Sequence, residues 1–238
     1  MKTRFYVSFA LLALASVSFA GSTSVTTEAA LLANDFIDWG QFGADFTIVN
    51  SGTHGFTNNG IGFTVYSVND NTSVDDGGQY QLLTEGSTWN GGFNPGDHVL
   101  FKTGSFAVNS TDLEIVFDQK IGGIGSGFQS NAFGDFTGSM GAWDNNPYFI
   151  ANNVGFSSNF GNNHGGSDGT APFMGVLSDQ TDILAAYLEV QMADFSDSLG
   201  SGWSHTLVRD TGAVPEPASM AVLGLGAIAL IRRRRQSK

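Results

Sequence analysis

The chain has 238 residues, no cysteine and a formal net charge of −12, so disulfides, thiolate metal sites and a thiol nucleophile are excluded and the fold rests on its apolar core. Seven basic residues (Lys2, Arg4, Arg232, Arg233, Arg234, Arg235 and Lys238) lie at the two ends; between residues 21 and 214 three basic residues face twenty-one acidic ones, a formal charge of −18. That field repels nucleic acid and anionic membrane surfaces, and it favours solubility and association with divalent cations.

Residues 1–20 read as a signal peptide. Lys2 and Arg4 supply the basic start, Phe5–Val17 the apolar run, and Ser18-Phe19-Ala20 the small residues that a signal peptidase reads. Cleavage is expected between Ala20 and Gly21, with a cut after Ala15 as the weaker alternative. A buried N-terminal helix would account for the apolar run but not for the basic start or the small-residue exit.

Residues 21–210 read as one domain. Phe is abundant, Gly more so, and aromatics alternate with Gly, Asn, Ser and Thr, a pattern of strands and tight turns. Thr27–Ala33 predicts a turn or two of helix, and no other segment of the body sustains an apolar face at 3.6 spacing. Strand-length apolar or alternating runs follow at Phe46–Val49, Gly62–Val68, His98–Phe101, Leu113–Phe117, Phe136–Trp143, Tyr148–Ile150, Phe173–Leu177, Ala186–Val190 and His205–Val208. They are separated by turn sequences such as Asn58-Asn59-Gly60, Asp76-Gly77-Gly78 and Asn94-Pro95-Gly96. Gly155–Thr170, poor in large aliphatics, reads as a long loop or hairpin excursion. The expected fold class is all-β: a single antiparallel β-sandwich or jelly-roll-like domain, flanked by the signal helix and a C-terminal hydrophobic helix.

Within this body the residues that carry chemistry are few. Asn69–Gly77 concentrates hard oxygen donors, and Asp70, Asp75 and Asp76 are the candidate ligands for Ca²⁺; the run lacks the glycine and terminal glutamate positions of an EF-hand, and solvated turn residues are the simpler account. Asp144-Asn145-Asn146 is a weaker second site. Trp89, surrounded by Gly86-Ser87-Thr88 and Asn90-Gly91-Gly92, is the candidate for stacking on a sugar at the surface, against the plainer role of a packed loop anchor. Gly165-Gly166-Ser167-Asp168-Gly169 has the form of a nucleophile elbow beside His164, but no apolar strand precedes it and no helix follows. His54, His98, His164 and His205 show no paired ligand spacing. Glycoside hydrolysis needs two acids converging across a cleft, which a sequence rich in acids cannot single out. No catalytic residue is assigned, and calcium is the one cofactor the composition suggests.

The tail, residues 211–238, is more specific. Val214 leads into Pro215-Glu216-Pro217, then fourteen residues, Ala218–Ile231, with Ser219 as their one polar member, then Arg232, Arg233, Arg234 and Arg235. Spanning about 30 Å of hydrocarbon takes about 20 helical residues, so this mildly apolar run anchors marginally, its arginines on the cytoplasmic side. The prolines keep the segment before it extended and open to a processing enzyme. Motif, apolar run and arginine cluster together resemble the PEP-CTERM sorting signal, processed by exosortase-type membrane enzymes in bacteria that make exopolysaccharide. Over residues 36–190 the body is similar to exported proteins with such tails, through Asp38-Trp39-Gly40-Gln41, Trp89–Asp97, Ile121–Gln129 with Phe136-Thr137, and Pro172–Val176; that likeness implies a β-sandwich and transfers no catalytic residue.

The resemblance implies signal peptidase and an exosortase-type enzyme as partners, transient inner-membrane anchoring, and a final place on the cell surface or in the extracellular matrix. Sequence and resemblance together point to a non-catalytic, exported protein associated with exopolysaccharide. The alternatives are a secreted carbohydrate-active enzyme and a Ca²⁺-dependent carbohydrate-binding module.

Overall fold

The computed structural model describes residues 22–68, 77–103, 110–130, 136–143, 158–160, 169–179, 181–192 and 200–211. The expected signal peptide, the sorting tail with its expected helix, the segment expected as the 70–76 turn and Tyr148–Ile150 all lie outside them. The strands in chain order are β1 (Ser22–Val25), β2 (Asp35–Ile37), β3 (Ile48–Asn50), β4 (Thr53–Phe56), β5 (Gly62–Val68), β6 (Gln79–Thr84), β7 (His98–Thr103), β8 (Ser110–Ile121), β9 (Gly123–Ser130), β10 (Phe136–Trp143), β11 (Ser158–Phe160), β12 (Phe173–Ser178), β13 (Ile183–Met192), β14 (Gly200–Trp203) and β15 (Thr206–Arg209). One helical turn, α1 (Glu28–Leu31), follows β1, capped by the Thr27 hydroxyl accepting from Ala30 N and closed by Leu32 at φ 54°.

The fold is all-β, as the alternating pattern predicts. One sheet runs β1-β12-β9-β14-β7-β6-β3, with β15 beside β9 and β2 beside β15; the other runs β11-β10-β13-β8-β5-β4. Every pairing between these strands is antiparallel, as in β8, whose Leu113 and Ile115 face Ser67 and Val65 of β5 on one side and Leu188 and Ala186 of β13 on the other. The chain changes sheets between β3 and β4 at Ser51-Gly52, where Gly52 takes φ 82°, a left-handed conformation open to glycine without strain.

A single apolar cluster joins the sheets. Tyr80, Leu82, Leu100, Ile124, Phe128, Met174, Val176 and Trp203 come from the larger sheet, and Phe63, Val65, Leu113, Ile115, Met140 and Leu188 from the smaller. Period-two alternation is the cause: in β10 Phe136, Gly138 and Met140 are buried while Thr137 and Ser139 are less so. Phe63 makes edge contacts with Trp39 and Phe42 at 6.0 and 6.3 Å, so it ties the short 3-10 turn Trp39–Phe42 to the core.

One detail differs from the sequence expectation. The Phe46–Val49 run begins pairing as a strand at Ile48, because Phe46 sits at φ 68° and donates its N–H to Leu82 O in a turn. The segment read as a long loop or hairpin excursion, 155–170, contains β11, paired antiparallel with β10. Strand β9 is read through its glycines: Gly123, Gly125 and Gly127 alternate along a central strand with no room for a side chain, an added Cβ on Gly125 falling 2.4 Å from Phe173 Cζ. Glycine here lets other elements pack directly on the backbone of the sheet.

Candidate functional site

Across the glycine face of β9 lies the loop of residues 85–97, which joins β6 to β7. Its ends are closed by Glu85 N donating to Asp97 O (2.9 Å) and Gly96 N to Glu85 O (3.0 Å). Inside it, the buried Glu85 carboxylate accepts the Gly91 N–H at 3.0 and 3.2 Å, and Gln129 Nε2 of β9 donates to Gly91 O at 2.7 Å. Ala171 N and Gly169 N donate to Gly92 O and Phe93 O, fastening the loop to the approach to β12. At its base the Asp45 carboxylate accepts from the hydroxyls of Thr84 (2.5 Å) and Thr88 (3.0 Å).

These fastenings leave a small open cleft between the loop, α1 and β9, lined by Glu28, Asn94, Asp97, Ser204, Phe93 and Phe173 among others. Its floor is Gly127, where an added Cβ would come within 2.7 Å of Ser204 Oγ. Ser204 is held by its backbone, whose carbonyl accepts Trp39 Nε1 at 2.8 Å. Beside it His205 turns its ring edge to Phe36 at 5.8 Å and its Nδ1 to Asp97 Oδ1 at 3.7 Å.

Electrostatics follow from that placement. The Asp97 carboxylate, through this stretched contact, raises the His205 pKa above the usual imidazole value; partial burial opposes the rise, and the charges of Asp97, Glu28 and Asp38 add to it. Asp97 Oδ2 also accepts the Asn94 N–H at 3.2 Å, which orients the carboxylate. Next door His98 Nδ1 meets Asp38 Oδ1 at 2.7 Å, and across the molecule His54 Nε2 meets Asp118 Oδ2 at 3.1 Å. Each of the three described histidines thus pairs with an aspartate distant in the chain. Among the described residues no group of three or more His, Asp or Glu is arranged to hold a metal ion.

The residues singled out from sequence fare unequally. Trp89, the candidate for stacking at the surface, is corrected to the packed loop anchor that was its plainer reading: it is 9% exposed and packs with Leu83, Phe93 and Val99, its ring 5.0 Å from that of Phe101. The small residues around it, which suggested an exposed tip, are what let the loop close over it, since an added Cβ on Gly91 would meet Trp89 Nε1. Trp39 and Trp203 are fully buried. Of the Gly165–Gly169 pentapeptide only Gly169 falls among the described residues, and Asp70, Asp75, Asp76, Asp144, Asn145, Asn146 and His164 fall outside them, as do Ala20, Gly21, Pro215, Glu216, Pro217 and Arg232 to Arg235. The cleft itself was not singled out. Asn94–Asp97 was legible as a turn and His205 as part of a strand, but their meeting with Glu28 depends on tertiary contacts that neither pattern encodes.

Among known proteins, residues 213–235 match the PEP-CTERM protein-sorting motif. No curated protein matches the chain. Among solved structures it is similar to the enzymatically active domain of tailspike protein 4 of bacteriophage CBA120, at 12% identity and a TM-score of 0.27, over 72% of this chain and 20% of that one. The chain spans about a fifth of that protein's length, and neither fold nor activity is drawn from a likeness at this level. Within the described residues no helix is long and apolar enough to cross a membrane.

Proposed function

We propose, for a chain whose tail is a PEP-CTERM sorting motif, that the acidic β body is a non-catalytic component of the cell surface or extracellular matrix, processed by an exosortase-type enzyme and retained on exopolysaccharide. The observation that carries this reading is the match over residues 213–235, a motif that implies export and membrane-associated sorting. The segment Ala218–Ile231 serves in this reading as the transient anchor, too short to hold a membrane for long. Two sheets sharing one core support treating the body as a single sandwich, carried outward as a folded unit after the signal peptide leaves.

Charge narrows how the body is held. At −18 between residues 21 and 214, contact with an anionic polysaccharide requires bridging divalent cations, whereas a neutral or cationic glycan needs none. Burial of Trp89 argues against stacking at that indole. The test is retention of the processed protein on the polysaccharide of its own producing cells, with and without chelator. Retention without loss of polymer length supports the reading; depolymerisation abolished by replacing one or two acids would replace it with an enzyme.

A further inference from the structure

The body holds its C-terminal end up to Thr211, two positions before the sorting motif begins at 213. The Asn34 side chain takes both backbone groups of Asp210: its Nδ2 donates to Asp210 O at 2.6 Å, and its Oδ1 accepts the Asp210 N–H at 2.7 Å. Asn34 is itself fixed, its N–H donating to Val208 O at 3.1 Å and its carbonyl accepting from Asn59 Nδ2 at 3.1 Å. On the other side Gly122 N donates to Arg209 O at 2.9 Å, and the Thr211 hydroxyl meets that of Thr181. Thr211 fits because Gly122 has no side chain, a Cβ there falling 2.6 Å from Thr211 Cγ2. Residues from distant parts of the chain thus converge where the tail leaves the body, and Asn34 and Asn59 are exposed there.

We propose that the body surface around this clamp, with Asn34 and Asn59 at its centre, is a contact surface for the exosortase-type enzyme, an inference that rests on the sorting reading above. Between Thr211 and Pro215 stand only Gly212, Ala213 and Val214. Even fully extended, at about 3.6 Å per residue, they place Pro215 at most about 14 Å from the fixed end of the body. A folded unit of about 100 residues has a radius of gyration of about 13 Å, so an enzyme that encloses Pro215-Glu216-Pro217 extends back to the body and meets it where the tail emerges. Were Asp210 and Thr211 released, the chain would leave the body at Arg209 and the reach would grow to about 22 Å. Asn34 is therefore a positioning residue: it touches neither the motif nor the reacting bond, and it keeps the body against the enzyme by holding Asp210. Side-chain amides and hydroxyls at Asn34, Asn59 and Thr181 surround the emerging chain, the polar character of a contact that is released once processing is complete.

The test places a photo-cross-linking amino acid at Asn59 of the full-length precursor in its producing cells, with the processing enzyme tagged. Cross-links to the enzyme are expected from this position and not from Ser87, an exposed residue of loop 85–97, which Gln129 Nε2 ties to the end of β9 remote from Gly122. Thr181, on the other side of the emerging chain, is the second position should the Asn59 variant fail to fold. A Gly-Ser spacer of about twelve residues between Gly212 and Ala213 leaves the matched motif whole and adds about 20 Å of average reach; it is expected to lower the cross-link tenfold or more. Asn34→Ala, which frees Asp210, is expected to lower it several-fold. Asn59→Arg crowds the contact and should slow processing several-fold at the native spacing but not with the spacer, a rescue that a folding defect would not permit. No cross-link from either root position in a precursor that is processed normally, equal cross-linking from Ser87, an undiminished cross-link in Asn34→Ala, or a slowing by Asn59→Arg that the spacer leaves unchanged overturns the proposal. Those outcomes leave the sorting reading standing, whereas normal maturation after replacing Pro215, Glu216 and Pro217 by Ala removes that reading and the proposal with it.

Discussion

Asp38 and His98 stand sixty residues apart in the chain and meet at 2.7 Å, Asp38 Oδ1 on His98 Nδ1. The same oxygen accepts the Gly40 N–H at 2.9 Å, so one carboxylate caps the Trp39–Phe42 turn and anchors β7 to it. Gly40 makes the approach possible, since a Cβ there would lie 2.4 Å from the imidazole.

Two substitutions test this arrangement. Asp38→Ala removes a cap and a cross-link and is expected to cost about 1 kcal/mol, in the range of lost caps. Gly40→Ala drives a methyl into the His98 ring and is expected to cost about 1–3 kcal/mol, as overpacking does. Urea unfolding of the double variant Gly40→Ala, His98→Ala should recover part of the second loss, because the clashing ring is then gone. No recovery would show that the glycine matters for its backbone alone.

His205 gives the body a signed dependence on pH. Its folded pKa is raised above 6.5 by Asp97, so the protonated pair contributes stability that is fully present below the unfolded value and is lost as pH rises through the folded one. The pair is partly exposed, and its contribution is expected to be about 0.2–1 kcal/mol. Melting curves of wild type and His205→Gln should therefore differ most below about pH 6 and converge above the raised pKa. A difference that grows with pH would reverse the assignment of Asp97 as the dominant partner.

How much of this could be read in advance depended on the physical range of the signal. Gly62–Val68 and Phe136–Trp143 form strands over the residues their alternation marks, because period-two burial is a local pattern. β9 was visible only through a resemblance to exported proteins with such tails, since Gly-Ile-Gly-Ser-Gly offers a glycine face where a strand usually shows side chains. For Trp89 the two roles could not be separated by pattern, because the small residues that signal an exposed turn are also what a loop needs to fold back over an indole. The cleft was hidden for a different reason: Glu28, Asp97 and Ser204 lie on three elements far apart in sequence, and only their packing on β9 brings them together.

The acidic 70–76 segment calls for a separate measurement. Asp70, Asp75 and Asp76 are clustered in a strongly acidic body, and neutralising clustered carboxylates relieves their repulsion. With an affinity of about 10⁻⁴–10⁻³ M, as weak extracellular sites have, 10 mM Ca²⁺ is expected to stabilise the protein by about 1.4–2.7 kcal/mol. That increment should vanish in Asp75→Ala and Asp76→Ala. A melting temperature indifferent to Ca²⁺ in the wild type removes calcium from the account and leaves these aspartates as solvated residues.

Sorting is the function for which the residues are most specific, and it separates cleanly from folding. The motif matched at 213–235 begins beyond β15, the last of the described strands, which ends at Arg209, so replacing Pro215, Glu216 and Pro217 together by Ala alters the processing signal without touching any described contact of the body. The variant is expected to keep the wild-type melting temperature and to accumulate unprocessed at the inner membrane, its Ala218–Ile231 segment and Arg232 to Arg235 still attached, detectable as a heavier species in the membrane fraction. A second variant, with Arg232 to Arg235 changed to Ser, weakens the positive charge that holds the tail on the cytoplasmic side and should reduce processing while leaving Pro-Glu-Pro intact. If the triple-Ala protein is instead matured and released at the normal rate, the apolar run acts as an ordinary anchor and the Pro-Glu-Pro residues play no part in recognition.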